Sequence, residues 1–174
     1  MNNRAPIKRD HERANVEALL RWLNAKRKIP FSIIAAPDPP HAIIQSGWTI
    51  RWVEVGSIFM NARWAQDRFS HATPGERPRP FGKNPVVDPD EQFVSMFVGV
   101  LSGKLSKETH LPLTEKYGPG YLVLPLMHPL FGKTTFALMK RRWKEIQPVQ
   151  NRGCFRGVYL TGHSLNYRCI PWRV

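Results

Sequence analysis

The chain has 174 residues, 42% of them hydrophobic, with six Trp and nine Phe, which is enough for one folded core and excludes a disordered chain. Its 26 Lys and Arg against 13 Asp and Glu give a net charge of +13 and a pI near 10.4, the balance expected of a protein that meets a polyanion. No apolar run reaches the roughly 18 residues that cross a bilayer, and Met1-Asn2-Asn3-Arg4-Ala5-Pro6 has no signal core, so a soluble, cytoplasmic protein without a membrane partner is expected.

In chain order, residues 1–9 read as a loose basic arm. From Asp10 to Lys26 the apolar residues Val16, Leu19, Leu20 and Leu23 recur at helical spacing and predict an amphipathic helix, closed by the basic run Lys26-Arg27-Lys28. Phe31-Ser32-Ile33-Ile34 reads as a short strand. After Pro37-Asp38-Pro39-Pro40, the stretch His41 to Val55 reads as a hairpin turning at Ser46-Gly47. In its second strand Ile50, Trp52 and Glu54 share one face, and Arg51, Val53 and Val55 the other. A carboxylate on so apolar a strand is costly to bury without a metal, hydrogen bonds or a counter-charge, which makes Glu54 the first functional candidate.

Asn61 is a plausible cap for a helix over residues 62–71 that carries Arg63, Trp64 and Arg68. Thr73 to Pro89 holds five prolines with Arg77, Arg79 and Lys83, and residues 72–89 are expected to be a long basic loop. Asp88-Pro89-Asp90-Glu91 signals a helix start, with an acid at the cap and Pro at the first helical position, and Phe93, Met96, Phe97, Val100, Leu101 and Lys104 line one stripe of that helix. Tyr121 to Leu126 reads as a buried strand after a turn at Tyr117-Gly118-Pro119-Gly120. His128 reads as a hydrogen-bonded structural group. Thr134 to Ile146 reads as a helix ending in Lys140-Arg141-Arg142-Trp143-Lys144, a basic run whose aromatic residue has the chemistry to stack on a base. Phe155–Thr161 and Leu165–Trp172 read as a terminal hairpin. Cys154 and Cys169 lack zinc-site spacing and are expected to be free thiols. These elements predict an α/β (α+β) fold in a single domain over residues 1–174, a mixed central sheet flanked by helices.

Pro40-His41-Ala42-Ile43, Trp52-Val53-Glu54-Val55, Phe59 and Trp64-Ala65-Gln66-Asp67-Arg68-Phe69-Ser70 together resemble the PD-(D/E)xK nuclease-like superfamily, in a subgroup reading roughly PDAI…WIEVTDxF…WAxDLYS. The match is tightest over residues 37–71. His41 stands where the pattern has its Asp, with Asp38 three residues earlier, and Gly56 stands at the Lys position; Glu54 matches outright. The resemblance implies a restriction-endonuclease-like αβββαβ core. It implies a divalent metal, Mg²⁺ or Mn²⁺, held by Glu54, Asp38, His41 and a carboxylate from the first helix, Glu12 or Glu17, with the Val55 carbonyl beside them. In such a site the metal neutralises the scissile phosphate and activates the attacking water. A His ligand would tilt the preference toward Mn²⁺. Lys104, with Lys107 behind it, would take the place of the lysine missing at Gly56.

The functional expectation is thus a nucleic-acid-binding protein resembling a metal-dependent phosphodiester endonuclease, with Glu54, Asp38, His41 and Lys104 as catalytic candidates. Arg63, Arg68, Arg77, Arg79, Lys83, Lys140, Arg141 and Arg142 are the candidate nucleic-acid contacts, and DNA is favoured over RNA. Two alternatives stay open: a catalytically inactive binding module of the same kind, and a basic component of a phage or defence complex. A homodimer or a larger protein complex is compatible with either.

Overall fold

Val16 and Leu19 are fully buried and Leu20 and Leu23 pack beside them, so the stripe in the sequence is the face that α1 (Arg4–Asn24) lays on the sheet. The computed structural model describes residues 4–59, 87–128, 131–146, 153–162 and 165–173. Over residues 4–9, which the sequence predicts to be a loose arm, the chain is already helical. Pro6 falls in the first turn, where its missing N–H costs nothing, and Lys8 reaches Glu12 one turn on at 3.4 Å.

Three antiparallel strands follow: β1 (Ser32–Ala35), β2 (Ala42–Ser46) and β3 (Thr49–Val55), with the turn at Gly47-Trp48, where Gly47 takes a φ of +56°. The chain breaks at Gly56-Ser57 and resumes as β4 (Ile58–Phe59). Helix α2 (Pro89–Leu105), a 3₁₀ turn (Glu108–His110) and α3 (Leu111–Tyr117) lead to β5 (Gly120–Met127), α4 (Lys133–Ile146), β6 (Phe155–Thr161) and β7 (Ile170–Trp172). The sheet runs β1-β2-β3-β5-β6-β7, with β3 and β4 both parallel to β5 along successive stretches of it. Within this order sits the expected αβββαβ succession, α1-β1-β2-β3-α2-β5, and the whole is a single mixed α/β domain.

The alternation expected in β3 divides the core in two. Trp52 joins Phe93, Phe97, Leu101, Met139 and Trp143 under α2 and α4, while Val53 and Val55 join Val16, Leu19 and Tyr121 under α1. Strand β5 is buried from Gly120 to Leu126, as its unbroken apolar run requires in a strand covered on both faces.

Several expectations are corrected. Asp88 precedes α2 but adopts a left-handed conformation and makes no side-chain cap. The buried face of α2 is Phe93, Val94, Phe97, Leu101 and Leu105, and Met96 lies off it, exposed, where Val94 takes the inward place. The second strand of the terminal hairpin is only Ile170–Trp172, since residues 165–167 form a turn. Cys169 is a free thiol, and burial pushes it up to about 12. The helix and the proline-rich loop expected over residues 62–86 lie outside the described residues.

Candidate functional site

Glu54 sits at the end of β3, two residues before the chain breaks from the sheet, and is only 4% exposed. Both of its oxygens are taken by protein cations or donors. His41 Nδ1 lies 3.0 Å from Oε2, and the Lys104 ammonium donates a short hydrogen bond to Oε1. Burial would raise the carboxyl pKa, but the hydrogen bonds and charges of His41 and Lys104 outweigh it and hold it down to about 2.

His41 Nδ1 is also 3.2 Å from the Val55 N–H, and the two neighbours ask opposite things of it: Val55 needs a bare nitrogen, Glu54 an N–H. The carboxylate is the stronger partner and selects the tautomer that donates from Nδ1 to Glu54. The other ring nitrogen, Nε2, faces Glu12 Oε1 at 3.2 Å and Asp38 Oδ1 at 4.0 Å. Lys8 stands between these two carboxylates, 3.4 Å from each, and although burial opposes its charge, Glu12 and Asp38 raise its pKa. Glu12, His41, Glu54 and Lys104 thus lie in a row of close polar contacts from α1 through the strand ends to α2, with the charge-assisted hydrogen bonds converging on Glu54.

The glycine at position 56 explains how Lys104 gets there. A Cβ at Gly56 would lie 3.3 Å from Lys104 Cε and 3.2 Å from Leu124 Cδ2, so the lysine stem runs through the space a larger residue would fill. The position that has no lysine of its own thus makes room for one from the facing helix.

A cleft of about 750 Å³ opens on the His41 side, between α1 and the segment joining β1 to β2, with Lys8, Arg9 and Arg13 on its wall beside Glu12, Asp38 and His41. The structure therefore brings together Glu12, Asp38, His41, Glu54 and Lys104, the five residues expected at one site. Glu17 instead pairs with Arg13 at 3.0 Å on the outer face of α1.

Sequence reasoning missed three neighbours. His110 is buried against Trp52 and Phe155, with Nε2 3.9 Å from Glu54 Oε1, and burial lowers its pKa. Lys8 was legible only as the residue one turn before Glu12. His11 reaches Ser57 Oγ at 3.3 Å across the strand break and contacts Asn15, which is fully buried; burial lowers the pKa of His11 too.

Among the described residues no group of three or more His, Cys, Asp or Glu is placed to hold an ion. The His41 ring separates Glu12 from Glu54, and Lys8 and Lys104 occupy the carboxylates that an ion would need. As arranged, the set does not fit a metal centre.

The candidate contacts Arg63, Arg68, Arg77, Arg79 and Lys83 lie outside the described residues. Lys140, Arg141 and Arg142 are exposed on α4, but Arg142 is committed to Glu91 at 3.1 Å and Glu145 at 3.4 Å, and Lys140 covers the Phe136 ring. Trp143 is buried in the core and has no face to offer a base, so the run Lys140–Lys144 holds no aromatic residue open to stacking. His128 is buried with Nε2 3.3 Å from Asp90 and its ring edge-on to Phe93, and burial lowers its pKa. No helix among the described residues is long and apolar enough to cross a membrane. Comparison with protein-family models, with curated proteins and with solved structures finds no match.

Proposed function

We propose that this chain is a nucleic-acid-binding module on a PD-(D/E)xK-like scaffold, one that holds its polyanion without hydrolysing it. The observation that carries this reading is the internal neutralisation of Glu54, whose two oxygens are satisfied by His41 and Lys104. The Lys104 ammonium neutralises the buried carboxylate from inside the protein, so Glu54 is held ionised without an ion. The polyanion follows from the net charge of +13 and from Lys8, Arg9 and Arg13 on the wall of the adjoining cleft.

A second reading, a metal-dependent endonuclease, is favoured by Glu12, Asp38 and His41 on the cleft wall with Glu54 and Lys104 directly behind His41. One experiment separates the two. Plasmid and single-stranded substrates are incubated with Mg²⁺ or Mn²⁺ and wild-type protein or Asp38→Asn, a change at an exposed side chain that leaves the fold intact, and binding is titrated against salt. The expected result is no cutting and a binding constant that falls about 10³-fold between 50 and 200 mM salt for some six phosphate contacts, in both proteins. Metal-dependent cutting by the wild type that Asp38→Asn abolishes would overturn the binding reading in favour of the nuclease.

A further inference from the structure

We propose a second contact for nucleic acid, specific for single strands, at the tip of the β2–β3 hairpin: a base stacks on Trp48 while the flanking phosphates rest on Lys26, Arg27 and Lys28. The proposal rests on the nucleic-acid reading above and extends it to a place remote from the cleft. Six residues of strand at ~3.3 Å each put Trp48 about 20 Å from Glu54.

Trp48 is fully exposed, at a turn position where no packing demands an aromatic residue, and Ile29 beside it is 60% exposed. The two belong to one surface. Ser46 Oγ donates to the Ile29 carbonyl at 2.7 Å, and the Ile29 Cδ1 methyl lies 3.8 Å from where a Gly47 Cβ would be. The basic loop is also fixed in place. Asn24 makes two hydrogen bonds to the Phe31 backbone, at 2.8 and 3.0 Å, and the Arg27 guanidinium lies 4.4 Å above the Phe31 ring.

Neither segment carries an opposing charge of its own, since there is no Asp or Glu from Ala18 to Pro37 or from Pro39 to Val53. A basic loop tied to Phe31, next to an indole open on its faces, suits a ligand that alternates negative charge with flat rings. That ligand is a single strand; paired bases keep their faces inside the duplex. Stacking of this kind is tolerant of sequence, so the contact adds affinity without base choice.

The test uses the full chain and fluorescent single-stranded 20-mers, the same sequence as duplex, and vesicles rich in phosphatidylserine. Trp48→Ala is expected to weaken single-strand binding about 5- to 150-fold and to leave duplex binding unchanged. The double change Lys26→Ala with Lys28→Ala is expected to lower the salt slope by about 1.4, some 0.7 for each phosphate that is no longer neutralised. Single-strand binding indifferent to Trp48→Ala would overturn this site while leaving the nucleic-acid reading standing. Binding to vesicles that needs Trp48, or a dimer that Trp48→Ala dissociates, with oligonucleotide binding unaffected, would assign the tip to a membrane surface or to a second copy. Absence of salt-sensitive binding to any oligonucleotide by the wild type would instead remove the nucleic-acid reading itself.

Discussion

Replacing Glu54 by Gln is expected to cost about 3–5 kcal/mol at neutral pH, the range for removing one partner of a buried charge pair. The loss arises from what is left behind. Lys104 is half-buried against the strand break, and the single amide oxygen can accept from only one of Lys104 and His41, so the other faces an NH2 while Glu12 and Asp38 remain on the far side of the His41 ring. The effect has a pH signature whose sign follows from the depressed pKa. A carboxyl at about 2 in the folded protein against 4.5 ordinarily contributes stability that is fully present above pH 4.5 and disappears as pH falls through about 2. At ~1.36 kcal/mol per unit the contribution is on the order of 3 kcal/mol. Urea denaturation of both proteins should therefore show their difference shrinking by roughly half or more between pH 6 and pH 3. A difference that stays constant over that range would mean that Glu54 is not held ionised by its neighbours.

Gly120→Ala is expected to be comparably damaging, about 3 kcal/mol or more, through overpacking. A Cβ there would overlap the Trp52 ring at Cδ2 and Cε2 and lie 2.7 Å from the Trp52 carbonyl oxygen. The ring has nowhere to go. Its Nε1–H donates to the Gly118 carbonyl at 3.0 Å, and its faces meet Phe155 and His110 at 5.0 and 5.3 Å between centroids. Shifting the backbone instead would disturb the parallel pairing of β3 with β5 that places Glu54 beside Leu122. Gly99→Ala is the control: nothing lies within 4 Å of its Cβ, it sits inside α2, and a gain of up to ~1 kcal/mol is expected. Thermal denaturation of the pair tests the assignment, and a Gly120→Ala protein as stable as wild type would refute the close approach of β5 to Trp52.

Local rules carried most of the architecture. The spacing of Val16, Leu19, Leu20 and Leu23, the alternation from Ile50 to Val55 and the unbroken apolar run of β5 each encode which face is covered, and those elements lie where the pattern puts them. What failed depended on neighbours that a linear reading does not see. Lys8 in the early turns of α1 meets Asp38, thirty residues on, Val94 and not Met96 is buried on α2, and Trp143 is buried in the core that α2 and α4 share. The site divides in the same way. Glu54 announced itself as a carboxylate in an apolar strand, and Lys104 as a cation on an apolar stripe. His110 and Lys8 carried no such local anomaly, because their proximity is made by chain reversals between elements distant in sequence.

Gly56 and Lys104 together have a mechanical consequence. A lysine carried on β3 itself would move with the carboxylate it balances, so the pair would be indifferent to the rest of the molecule. Here the ammonium belongs to the last turn of α2, and at that end of the helix the ion pair is a latch between two layers whose described contacts are mainly apolar. Undocking that turn would strand a buried charge on the sheet, so α2 should open together with the end of β3 and not by fraying alone. Amide hydrogen exchange gives the readout: in wild type the amides of residues 101–105 should exchange in step with those of residues 53–55, and Glu54→Gln should uncouple the two, the helix end then exchanging first.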